Sequence, residues 1–111
     1  MNIAFKKSGD VEIAEIEGSI DSKTAPELQQ SILDVVAGTS KIILDMTKVG
    51  FVSSAGLRVL LMVYRQLKGK GGKIVLVGVS DEIKDVMFMT GFISFFEIDK
   101  TLDEALRKVS V

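Results

Sequence analysis

Apolar and polar residues alternate, with interruptions, in two short segments near the start of the chain. Residues 3–5 and 11–16 carry this pattern, and the Gly and Asp within residues 7–10 favour a tight turn between them. The pattern predicts an antiparallel β-hairpin. Residues 41–45 and 73–79 are apolar almost throughout, which is typical of parallel strands buried on both faces. We expect these two segments to form the centre of a sheet.

The first helix is expected after the hairpin. Apolar residues there recur at i, i+4, i+7 and i+8, the spacing of one helical face: Leu28, Ile32, Val35 and Val36. The segment Thr24-Ala-Pro-Glu27 has the form of a capping box with Pro in the first turn, so the helix should start there. Gly38 is expected to end it in the left-handed conformation.

Three more helices and one strand complete the pattern. A helix over residues 54–68 lies between the two apolar segments, and another over residues 80–90 runs from a capping Ser to Gly91. Residues 93–98 predict a last strand, and Thr101 begins a closing helix.

The resulting order, ββαβαβαβα, predicts an α/β fold. We expect a mixed sheet, in which an N-terminal antiparallel hairpin joins parallel strands, packed with about four helices. No linker or repeat interrupts the order, so residues 1–111 are expected to form a single domain.

Composition narrows the classes of function. The absence of Cys and His removes thiolate chemistry, the usual general base and the commonest metal ligand, so we expect no enzyme, no cofactor and no metal. The 14 basic and 15 acidic residues nearly balance, which argues against nucleic acid as a partner. Neither a signal peptide nor a membrane span is evident, and a cytoplasmic protein without membrane attachment is expected.

The segment Val52-Ser-Ser-Ala-Gly-Leu57 puts two hydroxyl groups at the expected start of the second helix. In open α/β sheets, ligands and partners tend to bind near the carboxyl ends of strands, where such loops lie. Unpaired N–H groups at a helix N-terminus favour either a capping side chain or a phosphate. A capping Ser is the simpler interpretation, and the residues alone leave the phosphorylated Ser open as well.

With this segment in view, the chain resembles the STAS domains of bacterial anti-sigma factor antagonists, in which a Ser of an Asp-Ser-Ser/Thr-Gly-Leu motif opens the same helix. Residues 18–25 are similar to the family's Gly-x-Leu/Ile-Asp loop, and residues 41–45 to its third strand. Residues 77–80 and 89–92 are similar to later landmarks. The resemblance therefore covers essentially the whole chain.

The resemblance implies that Ser54 is phosphorylated. Ser53 stands where many members carry Asp, and it adds a second candidate hydroxyl. Asp21 is implied to contact the partner beside this segment. The full set of implied partner-binding residues is Asp21, Ser22, Thr24, Ser53, Gly56 and Leu57.

The mechanism implied by the resemblance is partner switching. The unphosphorylated protein binds an anti-sigma factor that is also a Ser protein kinase, and sigma factor is released. Phosphorylation turns binding off, because a phosphate adds about −1.5 to −2 charges to a surface that docks while neutral. A PP2C-type Ser phosphatase resets the switch.

Other functions compete with this one. A phospho-acceptor receiver domain would use Asp45 at a strand end, although such a domain begins with a parallel strand and an acidic pair. A hydrolase using Ser54 lacks a His to activate it. A STAS module that binds nucleotide, or that serves a transporter as accessory subunit, is a further alternative. Asp21 and Asp45 could form a Mg²⁺ pair, although a loop cap is the simpler role for Asp45.

A group of Met and Phe residues occupies the expected third helix and its C-terminal side: Met87, Phe88, Met89, Phe92, Phe95 and Phe96. We expect most of them in the core. A second hypothesis is that some of them, with Met62, are exposed as interface anchors beside the phosphorylation segment.

Overall fold

The computed structural model describes residues 1–110 as one five-stranded sheet with four α-helices. The strands are β1 (Asn2–Ser8), β2 (Val11–Ile20), β3 (Lys41–Val52), β4 (Lys73–Val77) and β5 (Glu97–Asp99). The helices are α1 (Ala25–Val36), α2 (Ser54–Gly69), α3 (Asp81–Thr90) and α4 (Leu102–Val109). The strands lie in the order β1-β2-β3-β4-β5, with β1 and β2 antiparallel and the later neighbours parallel. The predicted fold class and element order are confirmed.

The helices cover the two faces of the sheet unequally. Helices α1, α2 and α3 pack on the face to which β3 contributes Ile42 and Leu44. Helix α4 packs on the opposite face, where Ile43 lies. Because successive side chains of a strand point to opposite faces, this confirms the prediction that the apolar run is buried on both sides. No helix within residues 1–110 is long and apolar enough to cross a membrane.

Strand β3 is longer than the sequence pattern indicates. The prediction ended this strand at Asp45, but β3 continues to Val52. Pairing of β3 with β4 ends at Asp45, which lies opposite Val77. From there on β3 pairs only with β2, up to the pair of Val52 with Ile20, and the register shifts twice along this stretch. The predicted end of this strand at Asp45 is therefore wrong, because hydrogen bonding to β2 holds the following residues in a strand although their own apolar pattern is weak.

The ends of α1 and α3 differ from each other. Gly38 was predicted to close α1 in the left-handed conformation, and this is wrong: the C-cap is Ala37 in the right-handed helical conformation. The Gly38 N–H donates to the Val35 carbonyl at 3.0 Å, so the chain leaves α1 with helical bonding continued. Gly91, with φ of 80°, does close α3 in the left-handed conformation, as predicted.

The predicted strand over residues 93–98 is mostly a 3₁₀ turn, Phe92–Phe95, and β5 starts only at Glu97. The ring of Tyr64 on α2 lies 5.5 Å from that of Phe95 and 5.7 Å from that of Phe96, measured between centroids. This aromatic packing favours a turn over an extended strand. The strand prediction failed because the apolar run is used for packing on α2.

Candidate functional site

Ser53 and Ser54 have different roles at the start of α2. Ser53 is the N-cap: its backbone is extended, with ψ of 175°, and its Oγ accepts a hydrogen bond from the Gly56 N–H at 3.3 Å. Ser54 is the first helical residue and is exposed, whereas Ser53 is half-buried. Among residues 1–110, no hydrogen bond involves the Ser54 hydroxyl. The two hydroxyls are thus divided into one that caps the helix and one that is free.

Gly56 allows the start of α2 to lie directly against the ends of β2 and β3. A Cβ atom at this position would lie 2.7 Å from Cγ2 of Ile20 and 2.9 Å from Cγ1 of Val52, closer than such atoms approach. The Ser53 N–H donates to the Ile20 carbonyl at 2.8 Å. Leu57, which is 2% exposed, anchors the same turn in the core. Gly56 and Leu57 therefore position the serines and are themselves covered.

The turn between β2 and α1 lies next to this helix start, through the Ile20 carbonyl. Oδ1 of Asp21 accepts hydrogen bonds from the N–H groups of Lys23 at 2.9 Å and Thr24 at 3.1 Å. The bonds from Thr24 and Lys23 hold the pKa of the Asp21 carboxyl below its ordinary value of 3.8. Asp21 is thus an ionised carboxylate fixed in place by the backbone that follows it.

Thr24 does not form the predicted capping box. It occupies the N-cap position of α1, but its side chain makes no capping hydrogen bond. Its Oγ1 donates to the Ser19 carbonyl and accepts from the Asp21 N–H, both at 2.9 Å. The Thr24 side chain is therefore engaged within the turn. Ser22, which the family resemblance also implies as a partner contact, has an exposed side chain in the same turn.

A groove between α1 and α2 opens beside Ser54. Ser22 and Pro26 line it on the α1 side, and Ala55, Arg58 and Met62 line it on the α2 side. The exposure of Met62 agrees with the hypothesis of apolar anchors near the phosphorylation segment. The groove is therefore a largely uncharged surface with a single cation, Arg58.

The other exposed apolar residues divide by position. Phe88 and Met89, 73% and 84% exposed, lie near the C-terminal end of α3, away from the strand ends that carry Ser54. Met87, in contrast, is completely buried. Phe51, which is 53% exposed, lies on β3 two residues before Ser53. The sequence pattern gives no signal for Phe51, because the extension of β3 that exposes it depends on pairing with β2.

Asp45 lies within β3 and is separated from Asp21. Its Oδ1 accepts hydrogen bonds from the backbone N–H and the hydroxyl of Thr47, at 3.0 and 2.6 Å. Asp45 is level with Glu15 on β2, so Asp21 lies six residues further along, about 20 Å at the usual rise of a strand. The alternative of a Mg²⁺ pair formed by Asp21 and Asp45 is therefore wrong, and so is the strand-end position of Asp45 that the alternative of a receiver domain would require. Nowhere in residues 1–110 do three Asp or Glu side chains converge as metal ligands.

Comparison with known proteins agrees with this geometry. The STAS domain family model matches residues 2–105, nearly the whole chain. The chain belongs to the STAS domain family. The matched residues include the turn between β2 and α1 and the start of α2, which meet at the Ile20 carbonyl.

Relatives of this STAS domain align with most of its length. BtrV of Bordetella bronchiseptica is 30% identical over 106 residues, which are 95% of this chain and 91% of BtrV. The anti-sigma-B factor antagonist of Listeria monocytogenes is 32% identical over 103 residues, covering 88% of this chain and 90% of the relative. A crystal structure of an anti-sigma factor antagonist from Mycobacterium paratuberculosis superposes with a TM-score of 0.90 at 31% identity, covering 99% of this chain and 94% of the other.

Proposed function

We propose that this STAS domain is a cytoplasmic anti-sigma factor antagonist whose binding is switched off by phosphorylation of Ser54. In the unphosphorylated state it binds an anti-sigma factor that is also a Ser protein kinase, and sigma factor is freed. A PP2C-type phosphatase restores this state. The observation that carries the proposal is the exposed Ser54 hydroxyl, which makes no hydrogen bond within residues 1–110.

The choice of Ser54 over Ser53 rests on accessibility. A kinase must place the acceptor oxygen in line with the γ-phosphate of ATP, which requires a hydroxyl that can leave its own surroundings. The Ser53 hydroxyl is half-buried and holds the Gly56 N–H, so it would have to lose that hydrogen bond to reach the kinase. Phosphorylating Ser54 requires no such loss.

The surface around Ser54 explains how a phosphate could switch binding. Among the described residues, Arg58 is the one charged residue that lines the adjacent groove, and the other lining residues, such as Ser22, Ala55 and Met62, carry no charge. A partner that docks here removes water from a nearly neutral surface, which is favourable only while the surface stays neutral. A phosphate on Ser54 would add about two negative charges, whose desolvation and repulsion would oppose docking.

In this proposal the chain is a substrate and a ligand, and the kinase supplies the nucleotide and the catalytic groups. The chain contains no His that could activate Ser54 as a nucleophile. The Asp21 carboxylate is held by two backbone N–H groups. We therefore assign Asp21, Ser22 and Thr24 to shaping the partner surface rather than to catalysis.

The test begins with the partner. A pull-down from native extract, followed by mass spectrometry, separates sigma regulation from a transporter-associated role, since the two would give an anti-sigma kinase or a membrane transporter. The captured kinase is then incubated with ATP and the purified chain. Intact-mass measurement should detect one added phosphate on the wild type and on Ser53→Ala, and none on Ser54→Ala. Phosphate addition that persists in Ser54→Ala would refute the assignment.

Binding provides a second readout of the same proposal. Ser54→Asp should weaken binding to the unmodified anti-sigma factor, by less than phosphorylation does, because a carboxylate carries a smaller charge than phosphate. Ser54→Ala should bind as tightly as the unphosphorylated wild type. Calorimetric titration measures both, and undiminished affinity of Ser54→Asp and of the phosphorylated protein would contradict an electrostatic switch.

A further inference from the structure

Arg58 is an exposed cation one helical turn after Ser54. It lines the groove between α1 and α2, and it forms no ion pair or hydrogen bond within residues 1–110. Some cations of the domain are paired, as Lys41 is with Asp10 at 3.1 Å and Lys108 with Asp99 at 2.7 Å, whereas the exposed Arg65 is, in the part of the chain that the structure describes, as free as Arg58. What distinguishes Arg58 is its place: among residues 1–110 it is the one charged residue that lines this groove, and its guanidinium is free to pair with an anion added there.

The helix brings Arg58 to Ser54. Residues four apart in an α-helix lie on the same face, with Cβ atoms roughly 5–6 Å apart. Side chains of a helix lean toward its N-terminus, so the Arg58 side chain extends toward the turn that Ser54 opens. Its length allows the guanidinium to reach an oxygen added beyond the Ser54 Oγ, and its donor fork fits two phosphate oxygens.

We propose that Arg58 binds the phosphate once Ser54 is phosphorylated. This rests on the proposed function in one respect, the identity of Ser54 as the acceptor. The pair holds the phosphate across the mouth of the groove, over Ala55 and toward Ser22, rather than free in solvent. Phosphorylation then changes the surface twice, because it adds an anion and it withdraws the one groove cation from any acidic group of the partner.

Two exposed lysines, Lys23 and Lys48, are weaker candidates. Lys23 is exposed in the turn before α1. Because it is not part of α2, helical spacing does not align its side chain with Ser54. Lys48 lies 3.9 Å from the Glu17 carboxylate and is therefore already paired. Arg58 is the cation that the helical repeat itself aligns with the hydroxyl.

The experiment uses phosphoserine installed at position 54 during translation, so no kinase is needed. Titration of the phosphate by ³¹P NMR gives the pKa of its second ionisation, ordinarily about 6. A guanidinium paired with the dianion lowers this pKa, and Arg58→Gln should raise it by about half a unit, the size expected for an exposed ion pair. Arg58→Lys, which keeps the charge but not the fork, should fall between the two.

Matched controls identify the cation. Arg65→Gln changes an exposed arginine of the same helix, two turns further on, and should leave the phosphate pKa unchanged. Lys23→Gln should also leave it unchanged. An equal pKa in the wild type and in Arg58→Gln overturns the proposal, as does a rise caused by Lys23→Gln instead.

The outcome is separate from that of the proposed function. If the native kinase ignores Ser54, the proposed switch fails, yet the titration still determines whether Arg58 binds a phosphate at this position. If the kinase phosphorylates Ser54 but the titration is insensitive to Arg58, the switch survives and this inference fails.

Discussion

The starts of α2 and α3 are built alike and differ in one respect. Each begins with an N-cap Ser in an extended conformation, whose Oγ accepts a hydrogen bond from the backbone N–H three residues later in the chain. Ser53 accepts from Gly56 at 3.3 Å, and Ser80 accepts from Ile83 at 3.2 Å. The first turn of α3 then carries acidic side chains at positions 81 and 82, whereas that of α2 carries none. Among the α-helices of residues 1–110, only α2 lacks an acidic side chain there.

This difference shows what is special about Ser54. Negative charge in the first turn of a helix is favourable, because it compensates the unpaired N–H groups and the helix dipole. In α3 the encoded sequence provides that charge permanently. In α2 the corresponding position is a neutral hydroxyl, where the proposed phosphorylation would add the charge reversibly. The capping Ser is common to both helices and does not distinguish the site.

The largest effect on stability is expected at Gly56, where the start of α2 lies too close to Ile20 and Val52 for a side chain. Gly56→Ala should lower the free energy of unfolding by about 2 kcal/mol, because the new methyl group overlaps Ile20 and Val52. Gly69→Ala is the matched control at the other end of α2, where a Cβ meets nothing within 4 Å, and it should change stability by about 0.5 kcal/mol or less. Urea denaturation measures both. Equal effects of the two substitutions would mean that the close approach at Gly56 is not constraining.

An intermediate effect is expected from the caps. Ser53→Ala and Ser80→Ala should each cost about 1 kcal/mol of stability, since each leaves a helix N–H without its partner. Ser54→Ala should cost less than about 0.5 kcal/mol, because its hydroxyl holds nothing and Ala is a better helix former. The same denaturation series, run on the three variants, tests the division of roles. A cost for Ser54→Ala as large as that for Ser53→Ala would show that both hydroxyls support the helix.

The smallest effect on stability is expected at the start of α1, where the Asp21 carboxylate binds backbone N–H groups and the N-cap residue makes no capping hydrogen bond. The pKa of Asp21 is lower in the folded chain than in the unfolded one, chiefly through the Thr24 N–H and then the Lys23 N–H. Its stabilising contribution is therefore fully present above the unfolded pKa, near 3.8, and is lost as pH falls through the lower folded value. Asp21→Asn, which keeps an acceptor oxygen but does not titrate, should reduce the acid dependence of the urea midpoint.

A second carboxyl serves as the control for that pH series. Hydrogen bonding and charge from Lys41 lower the pKa of Asp10, which lies in the β1–β2 turn. Asp21→Asn should leave this part of the acid dependence in place, and Asp10→Asn should leave the Asp21 part. If the double variant lost no more of the acid dependence of the urea midpoint than either single variant, the two carboxyls would not contribute independently.

Sequence alone determined most of the fold, because the elements that it predicted correctly carry local signals. The apolar run at residues 41–45, the capping Ser80 and the closing Gly91 each specify a strand or a helix end through a few adjacent residues. Gly38 and the run at residues 93–98 carried similar signals and were predicted wrongly. There, helical bonding after α1 and aromatic packing against Tyr64 outweighed the local preference.

The candidate site divides in the same way. The sequence determined which residues are available: two adjacent serines, a Gly and a Leu. Only the tertiary structure decided which serine caps and which is free. Pairing of β3 with β2 as far as Val52 brings the Ser53 N–H to the Ile20 carbonyl, which sets the first helical residue at Ser54. A hydrogen bond between residues 33 positions apart decides this, and no local pattern encodes it.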